Sequence, residues 1–224
     1  MLDTLPDAVA AARALVLPDR PVVLGICGAP GAGKTTLAEA LVGALAAEPP
    51  AGIGPDRAVH VPMDGFHLAD AELLRLGRLG RKGAPDTFDA DGYAALLRRL
   101  VDPDRSRTAY APAFERTLEQ PLAGAIPIEP ACRIVVTEGN YLLLDDEVWA
   151  PVRAALDEVW FVVVDDAIRR ERLVRRHIRF GKTPDAAWAW VREVDEPNAR
   201  RVAAAAMRAD RVVAAAAAAS HPVR

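Results

Sequence analysis

The stretch Gly28-Ala29-Pro30-Gly31-Ala32-Gly33-Lys34-Thr35-Thr36 fits the pattern G-x-x-x-x-G-K-[ST], in which x is any residue. Glycines permit backbone angles that turn successive N–H groups inward, so such a loop can surround phosphate oxygens. The lysine of this pattern reaches the β- and γ-phosphates of a nucleotide, and the hydroxyl after it can bind Mg²⁺. We therefore expect the whole stretch to bind ATP, with Lys34 on the phosphates and Thr35 on the metal ion.

The segments on either side of this loop match the context that the motif requires. Residues 22–27 form a continuous apolar run, which is typical of a strand buried on both faces. A helical pattern follows from residue 34 to about residue 47. The alternative interpretation, a glycine-rich turn that only joins a strand to a helix, does not explain why the lysine and the threonine follow it.

The rest of the chain alternates strands and helices, which favours parallel pairing with right-handed crossovers. We expect further core strands at 58–62, 133–137, 159–164 and 211–215, and two short strands at 108–113 and 125–128. Helices are expected at 67–76, 91–100, 148–156, 167–179, 185–194 and 198–208. The prediction is an α/β protein with a three-layer P-loop NTPase fold, in which helices flank a parallel sheet and one arginine-bearing helix forms a lid.

Length and composition predict one domain that binds a small molecule. The 224 residues, 51% of them hydrophobic, suffice for one well-packed core, and we treat 1–224 as a single domain. Its expected parts are an N-terminal helix at 1–19, a core at 20–212 that contains the lid at 167–182, and a tail at 214–224. The net charge of −3 argues against a general nucleic-acid binder. With no secretory signal and no apolar run of spanning length, a cytoplasmic protein without a membrane partner is expected.

An aspartate ends the second predicted core strand, in the sequence Met63-Asp64-Gly65-Phe66-His67. Ligands of parallel sheets bind at the carboxyl ends of the strands, so Asp64 should lie beside the γ-phosphate. There it could orient a substrate hydroxyl and accept its proton. The alternative is a helix N-cap without a catalytic role. His67 could contact the substrate or simply begin a helix.

An acid also ends the third predicted core strand, where Glu138 follows the apolar run at 133–137. This pattern is typical of a Walker B strand, whose acid holds Mg²⁺ directly or through water. Strands often end in acids, so the interpretation depends on the P-loop in the same sheet.

A strongly basic helix is predicted at 167–179, and it places Arg172, Arg176 and Arg179 on one face. Such a face can close over phosphates and neutralise charge in the transition state. Two alternatives are a solvated helix without a ligand and an RNA-binding patch. We prefer the lid because the helix follows a strand that points at the site.

Five motifs together resemble a known family: GAPGAGKTT at 28–36, PMDGFHL at 62–68, RKGAPDTFD at 81–89, TEGNYLLL at 137–144 and RLVRRHIRFGK at 172–182. They are similar to those of the P-loop kinases of the phosphoribulokinase, uridine kinase and bacterial pantothenate kinase group. The bacterial nucleoside/nucleotide kinase branch, which includes proteins labelled fructose-import kinases, resembles the chain most. The resemblance extends from about residue 20 to residue 212.

This resemblance implies ATP and Mg²⁺ as cofactors and a small molecule as the substrate. It implies that Lys34 and Thr35 bind ATP and the metal ion, that Asp64 is catalytic, and that Glu138 is the Walker B acid. It further implies a substrate-binding role for Asp86 and phosphate contacts for the arginines of 172–179. The chain departs from uridine kinases at His67 and Ala84, and residues 110–116 do not match the substrate segment of pantothenate kinases.

The function expected from these features is ATP-dependent phosphorylation of a hydroxyl on a small metabolite. A nucleoside acceptor could stack on Phe66, Tyr110 or Phe114 and bind Asp86 through its diol, whereas a sugar could bind Asp86, Asp89, Arg116 and Glu119. A pantothenate-kinase-like enzyme and a nucleotide-binding regulatory ATPase are the alternatives, and a homodimer is one possible assembly. The expected site comprises Lys34, Asp64, Arg172 and Arg176 for catalysis, Thr35 and Glu138 for the metal, and Asp64, His67, Asp86, Tyr110 and Arg116 for the substrate.

Overall fold

The computed structural model describes residues 1–17, 20–49, 57–102 and 104–215. Most of the loop expected after helix α2, which spans Lys34–Ala47, lies outside these residues, with its prolines and glycines at 49–55. So does the expected tail, apart from residues 214 and 215. An N-terminal helix, α1, spans Leu5–Leu15 and begins at Thr4, whose side chain accepts a hydrogen bond from the N–H of Asp7.

A parallel sheet forms the centre of the molecule. In the described residues its strands are β1 Val22–Cys27, β2 Ala58–Pro62, β5 Ile134–Gly139, β6 Glu158–Val163 and β7 Arg211–Ala214. They run in the spatial order β2-β5-β1-β6-β7, so each core strand predicted from the sequence is present to within a residue or two of its expected range. The sheet places the carboxyl ends of β1, β2 and β5 side by side.

Hydrophobic clusters cover both faces of the sheet, as expected for a three-layer arrangement. Alternate residues of β1 belong to different clusters, because successive side chains of a strand point to opposite faces. Val23 belongs to the cluster that contains Tyr93 and Trp149, whereas Leu24 belongs to the one that contains Leu37 of α2. The helices of the described chain are α2 Lys34–Ala47, α3 Asp70–Arg75, α4 Ala90–Leu100, α5 Ala150–Arg153, α6 Asp166–Arg179, α7 Pro184–Trp190 and α8 Glu196–Ala204.

An antiparallel hairpin separates from the main sheet. Its strands are β3 Ala109–Glu115 and β4 Gln120–Ile128, both longer than the short strands expected at 108–113 and 125–128. The hairpin packs against the turn after β2, where Gly65 leaves no room for a side chain because the carbonyl of Pro112 lies directly against its Cα. This contact brings the hairpin over the carboxyl ends of the strands.

The structure differs from the predicted helices in two main respects. The expected helix at 148–156 is only the single turn α5. The break expected between 194 and 198 is absent: a π-helical segment, Val191–Asp195, joins α7 to α8, and Glu196 N–H donates to the carbonyl of Val191. The wider π turn lets the helical path continue into α8 and places Asp195 against His177 of α6. None of the helices in the described ranges is long and apolar enough to cross a bilayer.

Candidate active site

The phosphate-binding motif forms the turn between β1 and α2. Gly31 and Gly33 adopt φ angles of +79° and +98°, in the left-handed region that favours glycine. A Cβ on Gly31 would lie 2.9 Å from the carbonyl oxygen of Arg169 and from Cγ of Leu173, so glycine is also needed for helix α6 to pack on the loop. The loop and α6 are thus in direct contact.

Lys34, the first residue of α2, points its ammonium into the turn. Its Nζ donates to Oδ1 of Asn140 at 2.7 Å and to the carbonyl of Ala29 at 3.1 Å. Burial lowers the pKa of Lys34, and the nearby charge of Glu138 opposes that shift. Both hydrogen-bond acceptors are neutral, so neither cancels the charge that a triphosphate would meet.

Thr35 and Glu138 form a pair of oxygen donors at the base of the loop. Thr35 Oγ1 donates to Oε1 of Glu138 at 3.0 Å. A hydroxyl beside a carboxylate is the kind of hard oxygen set that Mg²⁺ prefers, so these two residues fit the metal that the sequence predicts. Burial raises the pKa of Glu138 to about 7, because the charged carboxylate loses its hydration there.

His60 on β2 borders this pair. Its Nε2 lies 4.0 Å from Oε1 of Glu138, and among the described residues it has no hydrogen-bond partner. Burial lowers the pKa of His60 to about 4, so the ring is neutral near neutral pH. Glu138 therefore has a neutral neighbour on this side, and its buried charge is compensated mainly from the side of Lys34.

Asp64 lies in the 3₁₀ turn Met63–Phe66 that follows β2. Arg116 of the hairpin donates from Nη2 to Oδ2 of Asp64 at 2.8 Å, and His67 Nδ1 donates to the Asp64 carbonyl at 2.8 Å. Burial alone would raise the pKa of Asp64. The positive charges around it, namely that of His67 when its ring is protonated and those of Arg116 and Arg176, outweigh burial and hold that pKa below its usual value. The carboxylate is therefore ionised at neutral pH.

One cavity of about 320 Å³ joins these groups. It contains the following residues of the predicted site: Pro30, Gly31, Lys34, Thr35, Asp64, His67, Arg116, Glu138 and Arg176. The phosphate-binding loop thus lines the same cavity as the Thr35 and Glu138 oxygens and the Asp64 carboxylate. This is the arrangement that a transfer between two bound molecules requires.

Three residues singled out in the sequence lie elsewhere. Asp86 forms an ion pair with Arg81 and does not line the cavity. Tyr110 is 58% exposed and also lies outside it. Asp89 caps α4 by accepting from the N–H of Gly92. These three therefore do not line the cavity at the phosphate-binding loop in this structure.

The arginines of α6 occupy different environments. Arg169 is buried and forms an ion pair with Glu196, which fixes α6 to α8. Arg176 lines the cavity, whereas Arg172 extends along the loop, with Nη1 3.6 Å from a Cβ built on Gly33. Arg175 is exposed and pairs with Glu171. The apolar side of α6, Leu173 and Val174, packs on Ala187 and Val191.

Several cavity residues were not assigned a role from the sequence. They are Asn140, which binds Lys34, and Asp70, Lys82, Phe88, His177, Phe180, Lys182, Trp190, Val194, Asp195 and Asn198. His177 Nε2 and Oδ2 of Asp195 are 2.7 Å apart, which joins α6 to the π-helical segment. Asn140 could have been suspected, because it directly follows the strand that carries Glu138. The others come from loops and helices whose approach only the fold reveals.

Comparison with known proteins places this site in a family. A protein of Aspergillus versicolor named "ATP-dependent kinase-like protein notR'" is 40% identical over 133 residues, which are 57% of this chain and 77% of that protein. "Putative uridine kinase C227.14" of Schizosaccharomyces pombe is 35% identical over 164 residues, 71% of this chain and 68% of that protein. No protein-family model matches the chain.

A solved structure shares both the fold and much of the sequence. The crystal structure of a "putative fructose transport system kinase" from Silicibacter sp. TM1040 superposes with a TM-score of 0.82 and 36% sequence identity, over 93% of this chain and 98% of that one. The resemblance of the sequence motifs to P-loop kinases agrees with these findings, namely the P-loop, the parallel sheet and the level of identity to proteins named as kinases. The chain belongs to the group of ATP-dependent P-loop kinases.

Proposed function

We propose that this protein transfers the γ-phosphate of ATP to a hydroxyl group of a small metabolite, a nucleoside or a sugar. The observation that carries the proposal is the shared cavity. It holds the Asp64 carboxylate opposite the phosphate-binding Lys34, with the Thr35–Glu138 pair beside them. A protein that only hydrolyses or senses ATP has no need for an aspartate in this position.

Each group has a role that follows from its position. The N–H groups of the loop and the Lys34 ammonium bind the phosphates of ATP. Thr35 and Glu138 would hold Mg²⁺, which when bound draws charge from the phosphate oxygens. Arg176 reaches the same cavity from α6 and could neutralise charge on the transferred group.

Asp64 would orient the acceptor. Its ionised carboxylate accepts the hydrogen bond of the substrate hydroxyl and takes up the proton as the new oxygen–phosphorus bond forms. The bond from the γ-phosphorus to the bridging oxygen breaks, and its electron pair leaves with ADP. Phosphoryl transfer has a loose transition state, so positioning contributes more than base strength, and a carboxylate with a lowered pKa is adequate.

The decisive experiment measures ADP release with ATP and Mg²⁺ alone and with ATP, Mg²⁺ and a panel of nucleosides, sugars and pantothenate. We expect ADP release to depend on one acceptor and to coincide with a phosphate monoester detected by mass spectrometry. Lys34→Ala should abolish both signals. Equal ADP release with and without the whole panel would contradict the proposal and favour the regulatory ATPase.

A further inference from the structure

The end of the cavity next to Asp64 is where an acceptor would bind, and we call it the acceptor end. It is formed by His67, Asp70, Lys82, Phe114, Arg116 and Glu119. From the contacts among these side chains we infer that the acceptor is a neutral, non-aromatic polyol, such as an unphosphorylated sugar, rather than a nucleoside or an acid. This inference rests on the proposed function, because it names the class of molecule that the same site phosphorylates.

The aromatic ring that projects into the acceptor end is already in contact with protein groups. The ring centroid of Phe114 is 4.9 Å from that of His67, 5.3 Å from Nζ of Lys82 and 5.1 Å from Cζ of Arg116. Cations and aromatic rings bind to the π-face of a phenylalanine ring, and a nucleobase would have to stack on that same face. A base that stacked on Phe114 would have to displace at least one of them.

Phe88, the second ring at this end, is engaged in the same way. His67 packs on it with a centroid distance of 4.0 Å, and Tyr141 and Trp149 contact it at 5.7 and 6.0 Å. His67 therefore contacts both phenylalanine rings. The imidazole occupies the place where a flat heterocycle could otherwise pack against Phe88 and Phe114.

The other rings that could serve a nucleoside are not available. Phe66 is 8% exposed and packs on Tyr93 at a centroid distance of 4.6 Å. Tyr110 lies outside the cavity. The remaining rings of the cavity are Phe180, at the end of α6, and Trp190, at the end of α7. The Trp190 ring centroid lies 4.3 Å from Nζ of Lys182. Among the described residues, each ring at the acceptor end is thus already in contact with other protein groups.

Both cations at the acceptor end are already paired with carboxylates. Lys82 Nζ donates to Oδ1 of Asp70 at 2.6 Å and also to the carbonyl of Glu119, and Arg116 pairs with Asp64. Burial lowers the pKa of His67, so the imidazole is neutral at neutral pH. Each cation therefore already has a carboxylate partner, and a carboxylate or phosphate on the acceptor would have to break one of these pairs.

Hydroxyl groups suit this arrangement because they both donate and accept. They can donate to the carboxylates of Asp70 and Glu119 and accept from Lys82 and Arg116 without separating the ion pairs. Several adjacent hydroxyls on a compact molecule would satisfy several of these groups at once. The transfer step is the one given above, with the polyol hydroxyl giving its proton to Asp64.

The first test compares acceptors at equal concentration with the full-length protein, ATP and Mg²⁺. The panel contains neutral pentoses, hexoses and sugar alcohols, nucleosides, hydroxy acids and sugar phosphates, and the readout is kcat/KM from ADP release with product mass. We expect a neutral polyol to exceed every nucleoside and acid by at least about tenfold, because only hydroxyl groups can bind these polar side chains without breaking their ion pairs.

The outcomes separate this inference from the proposed function. A nucleoside or an acid as the best acceptor would overturn the inference and leave the proposed function intact. ADP release that no member of the panel stimulates would overturn both.

The second test uses the hairpin. Glu119→Ala should raise KM for the polyol by about tenfold or more, since a hydrogen bond to a charged group is lost. Glu119→Gln should raise this KM less, because the amide can still form a hydrogen bond. The KM for ATP should stay within about twofold in both variants, because ATP binds at the other end of the cavity. Glu115→Ala is the matched control, since Glu115 lies on the same hairpin and binds Thr117 outside the cavity. An unchanged polyol KM in a normally folded Glu119→Ala protein would contradict the inference.

Discussion

Lys34 donates from Nζ to the amide oxygen of Asn140 at 2.7 Å, although Glu138 lies only two residues earlier in the chain. The amide holds the ammonium in the phosphate-binding turn without neutralising it. A carboxylate at the same distance would form an ion pair, which the phosphates of ATP would have to disrupt. The neutrality of residue 140 is therefore part of how the loop attracts a nucleotide.

Asn140→Asp tests this role, because it preserves the shape of the side chain and adds a charge. We expect ATP to bind at least about tenfold more weakly, since a like charge this close to the phosphates opposes binding by more than about 1.4 kcal/mol. Titration with a fluorescent ATP analogue measures the change. Asn198→Asp adds the same charge to the cavity at a residue that is not a hydrogen-bond partner of Lys34. If both variants weaken binding equally, the specific contact is unimportant.

Asp64→Asn should abolish phosphate transfer and spare ATP binding. The amide is isosteric but cannot accept the proton of the substrate hydroxyl, and loss of such a group lowers kcat by about 10²–10⁴-fold. Turnover with the true acceptor and binding of an ATP analogue measure the two effects. The exposed Asp91 on α4 provides the control Asp91→Asn. Normal turnover by the Asp64→Asn protein would exclude the proposed role.

The sequence was sufficient for the parts of this fold that depend on local pattern. The P-loop, β1 and α2 follow from one motif and its flanking residues, and the other core strands are short apolar runs. The rule that ligands bind at the carboxyl ends of parallel strands predicted that Asp64 and Glu138 would lie near the loop, and the structure places all three on one cavity.

Contacts between distant segments could not be predicted in this way. Asp86 looked available for substrate, yet the backbone after α3 brings Arg81 to it. The hydrogen bond between Lys34 and Asn140 joins the first residue of α2 to the turn after β5, and these segments meet because β1 and β5 are neighbours. The π-helical segment at Val191–Asp195 depends on packing against α6, for which a helical periodicity gives no signal.

Arg176→Ala should lower kcat more than it lowers ATP affinity. Arg176 lines the same cavity as Asp64 and Lys34, and its charge lowers the pKa of both groups, so we expect this charge to act on the group in transfer. Loss of one such donor typically reduces kcat by about 10²–10³-fold. Steady-state kinetics with the identified acceptor separates kcat from KM.

Arg175→Ala is the matched control for this prediction. Arg175 is the preceding residue of α6, but it is exposed and pairs with Glu171. We expect its kinetics to match those of the unmodified protein. Equal losses of kcat in the two variants would mean that α6 acts through its overall charge rather than through Arg176.

The stability of the metal-free protein should depend on pH through Glu138. Its pKa is raised from 4.5 to about 7 by burial, so the stabilising contribution of the protonated carboxyl is complete below pH 4.5 and is lost as the pH rises through 7. The free energy of unfolding should fall by roughly 3 kcal/mol from this group over that interval. Denaturant titrations between pH 4.5 and 7.5 measure it.

Glu138→Gln removes this titration and keeps an acceptor for Thr35. The variant should therefore lose less stability than the unmodified protein as the pH rises, and the two curves should diverge towards pH 7. Glu193→Gln, at an exposed residue, should follow the unmodified protein. Parallel curves for Glu138→Gln and the unmodified protein would show that the buried carboxylate is not responsible.

Gly31→Ala should destabilise the protein more than Gly181→Ala. Both glycines have positive φ, +79° and +97°, but a Cβ on Gly31 meets α6 whereas one on Gly181 meets nothing within 4 Å. The clash with α6 should lower the free energy of unfolding of Gly31→Ala by about 1 kcal/mol or more beyond the loss in Gly181→Ala. This difference corresponds to roughly 2–4 °C in Tm for a chain of this size. Thermal denaturation of the two variants measures the difference, and equal Tm values would exclude the contact with α6 as the cause.

The register between β2 and β5 has a consequence for how such enzymes can diversify. Pro62 pairs with Glu138, so neighbouring strands fix the distance between the turn that carries Asp64 and the acid beside Thr35. Most of the residues that would contact the acceptor, by contrast, lie in the long excursion between these two strands, which includes the hairpin β3–β4. Insertions, deletions or exchanges in that excursion can therefore alter which molecule is phosphorylated while the phosphate-transfer chemistry is inherited unchanged.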